Sequence, residues 1–185
     1  MIKHAMVPLA QGCEELEAVT IIDLLVRAGV KVTTVSLDKE LTIVASRGVK
    51  LIVDTPLSEV NSTDFDMVVL PGGLPGADNL NASDELHAFL NEMSAKNALI
   101  GAICAAPKVL VSAGLLDNKQ ATSYPGHIDK LPGNNMTYQE DAVVVDGNII
   151  TSRGPGTAMD FALTLIELLV GKEVKSQVEA GLVRA

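Results

Sequence analysis

Short apolar runs rich in β-formers, alternating with amphipathic helical stretches, constrain this chain more than any other feature. Strands over 4–9, 30–37, 65–70 and 98–103 are separated by enough chain for helical crossovers, so they predict an α/β fold with a mainly parallel sheet. Helices are predicted from about Cys13 or Glu14 to the Gly29 stop, over 83–95, from Ala105 onward, over 157–170 and over 172–182. In the first, Leu16, Val19, Ile22, Leu25 and Val26 form the apolar face. In the second, Leu86, Phe89, Leu90 and Met93 point inward and His87 outward. Residues 41–45 and 49–54 read as a hairpin on the sheet edge, turning at Ser46-Arg47-Gly48, and 142–145 with 149–151 as another. Residues 56–60 read as a helical turn, and the chain after Gly114 as irregular through 133. With 185 residues and no repeat or linker, one domain over 1–185 is expected.

A net charge of -9 argues against binding to phosphate backbones, and an aromatic share of 3% without tryptophan offers no base-stacking platform. Nucleic acid is not expected as a partner, whereas small polar or reactive molecules stay open. No apolar run approaches the roughly 18 residues of a membrane span, and the amino terminus reads as a first strand rather than a signal peptide. Cys13 and Cys104 provide neither zinc spacing nor a disulfide framework, so a cytoplasmic protein with no metal and no cofactor is expected. The run Pro71-Gly72-Gly73-Leu74-Pro75-Gly76 lacks the lysine and hydroxyl residue of a phosphate loop. Its value is free backbone N–H groups at a strand's carboxyl end.

Cys104 lies where the strand over 98–103 turns into a helix, among the small residues Gly101, Ala102, Ala105 and Ala106. Such an elbow pushes a side chain outward, and a helix beginning at Ala105 aims N–H groups at the thiol and favours thiolate. The alternative is a small buried hydrophobe. Cys13 reads as an incidental surface thiol. Among the acids opening the first helix, Glu14 and Glu15 are accounted for by the helix dipole. Glu17 shares a face with Thr20, Ile21 and Leu24, which turns it partly toward apolar surroundings that raise a carboxyl pKa; a solvated carboxylate is the equal alternative from the residues alone.

Four separated motifs make a resemblance: Glu-Glu-Leu-Glu-Ala-Val at 14–19, Leu-Pro-Gly-Gly at 70–73, Ala-Ile-Cys-Ala-Ala-Pro at 102–107 and Thr-Ser-Arg-Gly-Pro-Gly-Thr-Ala at 151–158. Together they resemble the parkinsonism-associated deglycase family of the ThiJ/PfpI superfamily, as a bacterial-type member. The resemblance implies a flavodoxin-like three-layer sandwich with a nucleophile elbow, a homodimer, and an oxidation-prone cysteine paired with a protonated glutamate. By motif, these are Cys104 and Glu17, with Gly73 and Ala105 donating N–H groups to an oxyanion. The implied activities are hydrolysis of early glycation adducts, glutathione-independent glyoxalase turnover on reactive aldehydes, and redox-dependent chaperoning.

Two departures bear on mechanism. Ala105 stands where protease-like and strong glyoxalase branches carry histidine, and Asn135 stands where animal deglycases carry one near the cysteine. His127 is a possible accessory group, or a solvent-exposed loop histidine. Without an imidazole, proton transfer falls to Glu17 and water and turnover is slow. A redox sensor or chaperone whose cysteine is oxidised to sulfinate is the rival reading; an amidotransferase-like triad lacks its histidine.

Overall fold

The computed structural model describes residues 2–131 and 134–184. The chain runs β1 (His4–Pro8), α1 (Glu15–Arg27), β2 (Lys31–Ser36), β3 (Thr42–Val44), β4 (Lys50–Ile52) and β5 (Thr55–Pro56). It continues through β6 (Met67–Leu70), α2 (Gly76–Asn81), α3 (Asp84–Ala95), β7 (Leu99–Ile103) and α4 (Pro107–Ser112). The last part holds β8 (Gln120–Ala121), β9 (Thr137–Tyr138), β10 (Val143–Asp146), β11 (Ile149–Ser152), α5 (Ala158–Val170) and α6 (Lys172–Gly181).

Seven strands form one sheet in the order β10-β11-β7-β6-β1-β2-β5, parallel throughout except for β10 against β11. Side chains alternate across it, as a pleat requires. Ala5, Val7, Met67 and Val69 pack with α1 and α5 on one face, while Met6, Val68 and Leu70 pack with α3 and α4 on the other. Two apolar cores sandwiching the sheet make a three-layer α/β structure. Both sheet faces are covered, which is why the inner strands read as unbroken apolar runs. No helix among the described residues is long and apolar enough to cross a membrane.

The predicted strands and long helices are present, together with an unpredicted α2 and with differences in detail. The hairpin of β3 and β4 forms its own two-stranded sheet, and the main sheet's edge is instead β5. The irregular stretch after Gly114 contains β8, which pairs with β9, while Pro132 and Gly133 of that stretch lie outside the described residues. The helix after Cys104 begins at Pro107 rather than Ala105. Proline is suited to a first helical position, where a missing N–H costs nothing.

A further difference turns α1 partway round, since Leu25 of the expected stripe is buried and Ile22 half-buried. Its buried face carries Glu17, Ala18, Ile21, Leu24 and Leu25, whereas Leu16, Val19 and Val26 are about half exposed. Both stripes have helical spacing; which one turns inward is decided by the β1 exit and by what Glu17 meets below. In α3 the expected four residues are buried, but His87 is half-buried, with Nε2 2.9 Å from the Asn81 carbonyl oxygen.

Candidate active site

The carboxyl ends of three neighbouring strands build the site, the edge where open α/β sheets place ligands. β1 leads into α1 and Glu17, β6 into Gly72 and Gly73, and β7 into Cys104. A cleft of about 430 Å³ lined by Lys3, Asp66 and Lys96 lies at the opposite, amino end of the strands and takes no part.

Cys104 has φ +63°, a left-handed conformation that costs a residue with a side chain about 1 kcal/mol or more. The chain holds it there from two sides. Its N–H donates to the Ser152 carbonyl at 3.0 Å, and its carbonyl accepts from the Tyr124 N–H at 2.9 Å. The elbow does not leave the thiol exposed as expected, because Cys104 is only 9% accessible. Gly72 closes over it: a Cβ there would lie 2.7 Å from the Cys104 Cβ and 2.8 Å from the Ile103 carbonyl oxygen.

Glu17 is fully buried. Its Oε2 accepts from the Gly72 N–H at 2.8 Å, and the Gly72 carbonyl accepts from the Glu14 N–H, also at 2.8 Å. Oε1 has no hydrogen-bond partner, and the Cys104 thiol is a neighbour of this carboxyl. Burial, assisted by the Glu14 charge, raises the Glu17 carboxyl to about 7, against the Gly72 N–H and the thiol, which act to lower it. An ionised Glu17 would leave an oxygen buried without a donor, whereas a protonated one can donate to sulfur.

For Cys104, burial first and the Glu17 charge second push the thiol up to about 12. The N–H groups of Gly73 and Ala105, both directed at the sulfur, act in the opposite direction. A thiolate favoured by a helix terminus is therefore not what the fold provides; α4 is only six residues long and starts beyond the sulfur's neighbours. The two groups instead titrate as a pair. While Glu17 keeps its proton, its repulsion is absent and burial is what the two N–H donors oppose.

The other residues singled out in the sequence, His127, Asn135 and Cys13, make no hydrogen bond to the side chains of this pair among the described residues. His127 makes no side-chain hydrogen bond among the described residues; its N–H donates to the Tyr124 carbonyl at 3.3 Å, and burial and the Lys108 charge lower its imidazole pKa. Asn135 is exposed, with Nδ2 donating to Asn118 Oδ1 at 3.1 Å. Cys13 is not a surface thiol, being fully buried, and its carbonyl accepts from the Ser46 N–H at 2.8 Å. Among the described residues no cluster of histidine, cysteine and carboxylate side chains is arranged to hold a metal ion.

Sequence reasoning missed Glu15. Only 9% accessible, it accepts from the Ser46 hydroxyl at 3.0 Å and from the Arg47 N–H at 2.9 Å, fastening the hairpin turn to α1. Burial acts to raise its carboxyl pKa, but its own N–H, the Ser46 hydroxyl and the Arg47 N–H hold it below the usual value. The Glu-Glu-Leu-Glu run carries no local mark separating the residue that anchors a turn from the one that faces the thiol.

The fold thus sets a strained cysteine against a buried carboxyl at the carboxyl edge of a parallel α/β sheet. Residues 3–168 match the model of the DJ-1/PfpI family, and the chain belongs to that family. Protein dj-1beta of Drosophila melanogaster is 46% identical over 100% of this chain and 99% of its own length. The crystal structure of that DJ-1beta superposes with a TM-score of 0.95, covering 100% of both chains, and oxidized Toxoplasma gondii DJ-1 with 0.93 at 41% identity, covering 99% of both. The fold is accordingly flavodoxin-like. Glutathione-independent glyoxalase DJR-1.2 of Caenorhabditis elegans is 34% identical over 92% of this chain and 91% of its own length. Against DJ-1 homolog A of Arabidopsis thaliana, 41% identical over 96% of this chain, the chain spans 46% of the relative's length.

Proposed function

We propose that the protein uses Cys104 to process reactive aldehydes, or the early adducts they form on amino-acid side chains, in a slow glyoxalase- or deglycase-like hydrolysis. The observation that carries this reading is Glu17: a fully buried carboxyl beside the Cys104 thiol, with Oε2 bonded to the Gly72 N–H and Oε1 without a hydrogen-bond partner. With a 2-oxoaldehyde, the sulfur adds to the aldehyde carbon to give a hemithioacetal. Glu17 relays the proton from that carbon to the neighbouring one, while the N–H groups of Gly73 and Ala105 hold the developing oxyanion. One carbon is oxidised as the next is reduced, so no external oxidant or cofactor enters. Water then cleaves the resulting thioester to a 2-hydroxy acid and frees the thiol. The C. elegans glyoxalase among the relatives supports this chemistry. The test is lactate release from methylglyoxal, run beside hydrolysis of a preformed adduct; a Cys104→Ser variant as fast as the parent refutes the reading.

A second reading is a redox-sensing chaperone, favoured by the same N–H donors, which can hold sulfinate oxygens as well as an alkoxide. Peroxide that converts Cys104 to sulfinate and changes holdase activity, in a protein with negligible turnover, selects it. Both readings place the protein in a reducing compartment such as the cytoplasm, consistent with two free cysteines. A homodimer is part of the proposal. The exposed stripe of α1 borders a groove of about 530 Å³ lined by Val19, Ile22, Val26, Leu51 and Ile52, and Ile52 is 81% exposed. Sedimentation at micromolar concentration checks it, a monomeric mass contradicting it.

A further inference from the structure

The order of the sheet reverses at β1. β2 lies on one side of it and β6 on the other, and the crossovers cover opposite faces: α1, after β1, packs with Ala5 and Val7, whereas α3, after β6, packs with Met6 and Val68. Diverging crossovers leave a crevice outside the carboxyl ends of the strands, where open α/β sheets place ligands. The chemistry at Cys104 does not occupy it. β7, which leads into Cys104, is two strands from β1, about 10 Å at the usual strand spacing.

The crevice is a cleft of about 420 Å³, within the roughly 300–1,000 Å³ usual for small-molecule sites. Leu9 and Gln11 line it from the exit of β1, Leu37 and Asp38 from the exit of β2, and Asn79 and Ser83 from the segment after β6. Neither Cys104 nor Glu17 lines it. Its walls are held by their own hydrogen bonds. The Gln11 carboxamide donates to the Thr42 carbonyl at 2.8 Å and accepts from the Val44 N–H at 2.9 Å, while Asn79 Nδ2 donates to the Gln11 carbonyl at 2.9 Å. The buried Ser36 hydroxyl donates to the Asp38 carbonyl, and Asp38 Oδ1 accepts from the Glu40 N–H at 2.8 Å. Among the described residues no hydrogen bond reaches Asp38 Oδ2 or Asn79 Oδ1, and Ser83 Oγ accepts from the Leu86 N–H at 3.2 Å without donating.

Two free oxygens call for donors, and one hydroxyl proton calls for an acceptor. Vicinal hydroxyls offer both, whereas an ammonium group would offer Ser83 nothing. A carboxylate at the end of the second strand is also the group that holds ribose hydroxyls in dinucleotide-binding sheets. Those sheets seat phosphate on the turn and helix that follow the first strand. Here that turn leads into Glu14 and Glu15, whose carboxylates repel a phosphate. We propose that the cleft binds an uncharged compound carrying a ribose-type cis-diol, with its hydroxyls on Asp38 and Ser83 and its carbon face against Leu9 and Leu37. The site is separate from Cys104 and does not depend on the aldehyde-processing reading.

The experiment is isothermal titration of the full chain with adenosine, methyl β-D-ribofuranoside, 2′-deoxyadenosine and adenosine 5′-monophosphate. Adenosine binds about tenfold or more tighter than its 2′-deoxy analogue, the loss expected for a hydrogen bond to a charged group, and tighter than the monophosphate. Asp38 is exposed, so its substitution leaves the fold intact. Asp38→Asn and Asp38→Ala each lower adenosine affinity about tenfold and remove most of the preference over 2′-deoxyadenosine. Methyl riboside bound as well as adenosine supports recognition of the pentose alone; adenosine bound and the riboside not supports a nucleoside. Alkylation of Cys104 with iodoacetamide leaves the affinity unchanged. The proposal is overturned if neither riboside binds at millimolar concentration, or if 2′-deoxyadenosine or the monophosphate binds as tightly as adenosine. Affinity unchanged in both Asp38 variants, or lost on alkylation of Cys104, overturns it as well.

Discussion

Cys13 and Cys104 are both buried, and burial pushes both thiols up to about 12. Each also lies near a glutamate of α1, yet the two surroundings differ. Beside Cys13 stands Glu15, ionised and already satisfied by Ser46 and Arg47. Beside Cys104 stands Glu17, with an unpartnered oxygen and a carboxyl raised to about 7, and two N–H groups face the sulfur. Neither exposure nor the isolated thiol separates the two. What separates them is a neighbour that can hold or release a proton and donors positioned for negative charge.

The largest expected effect tests that separation directly. Cys104→Ser lowers methylglyoxal turnover about a thousandfold or more, about 4 kcal/mol in barrier, whereas Cys13→Ser stays within about twofold. Comparable losses in both variants would erase the distinction.

Next in size is the pH dependence of stability. Glu17 is raised from 4.5 to about 7 in the folded protein. A carboxyl raised on folding favours the folded state below its unfolded pKa, and that contribution is lost as pH rises through the folded value. Urea melts between pH 4.5 and 8 therefore show Glu17→Gln gaining on the parent by up to about 3 kcal/mol across this window. A constant difference would mean that Glu17 is charged throughout, as Glu15 is.

Gly72→Ala comes third, because its Cβ must displace the Cys104 Cβ and the Ile103 carbonyl. Thermal unfolding reports a loss of about 2 kcal/mol, with turnover reduced in the folded fraction. The smallest effect is Cys13→Ala, a loss of about 1 kcal/mol from a small cavity with turnover unchanged.

Much of this fold was legible because both layers leave periodic marks. Unbroken apolar strands predicted a covered parallel sheet, and the spacing in α3 named its four inward residues. The spacing in α1 supports two stripes, and tertiary contact chose the one carrying Glu17. The edge strand β5 and the pair β8–β9 have two residues each, too few to show a period. At the site, the cysteine elbow and glycine turn stand out as local patterns. The burial of Cys13, the anchoring by Glu15 and the position of Tyr124 depend on chain segments far apart in sequence, and no local pattern encodes them.

The central claim is that Glu17 acts as a proton carrier for Cys104 rather than as packing around it. The decisive measurement is made on Glu17→Gln, comparing lactate release from methylglyoxal with the rate of Cys104 alkylation at the same pH. Glutamine keeps the shape and neutrality of the protonated acid but cannot relay a proton. The account predicts alkylation within about threefold of the parent and turnover lower by about a hundredfold. Turnover that falls only as far as alkylation does, or not at all, would contradict it.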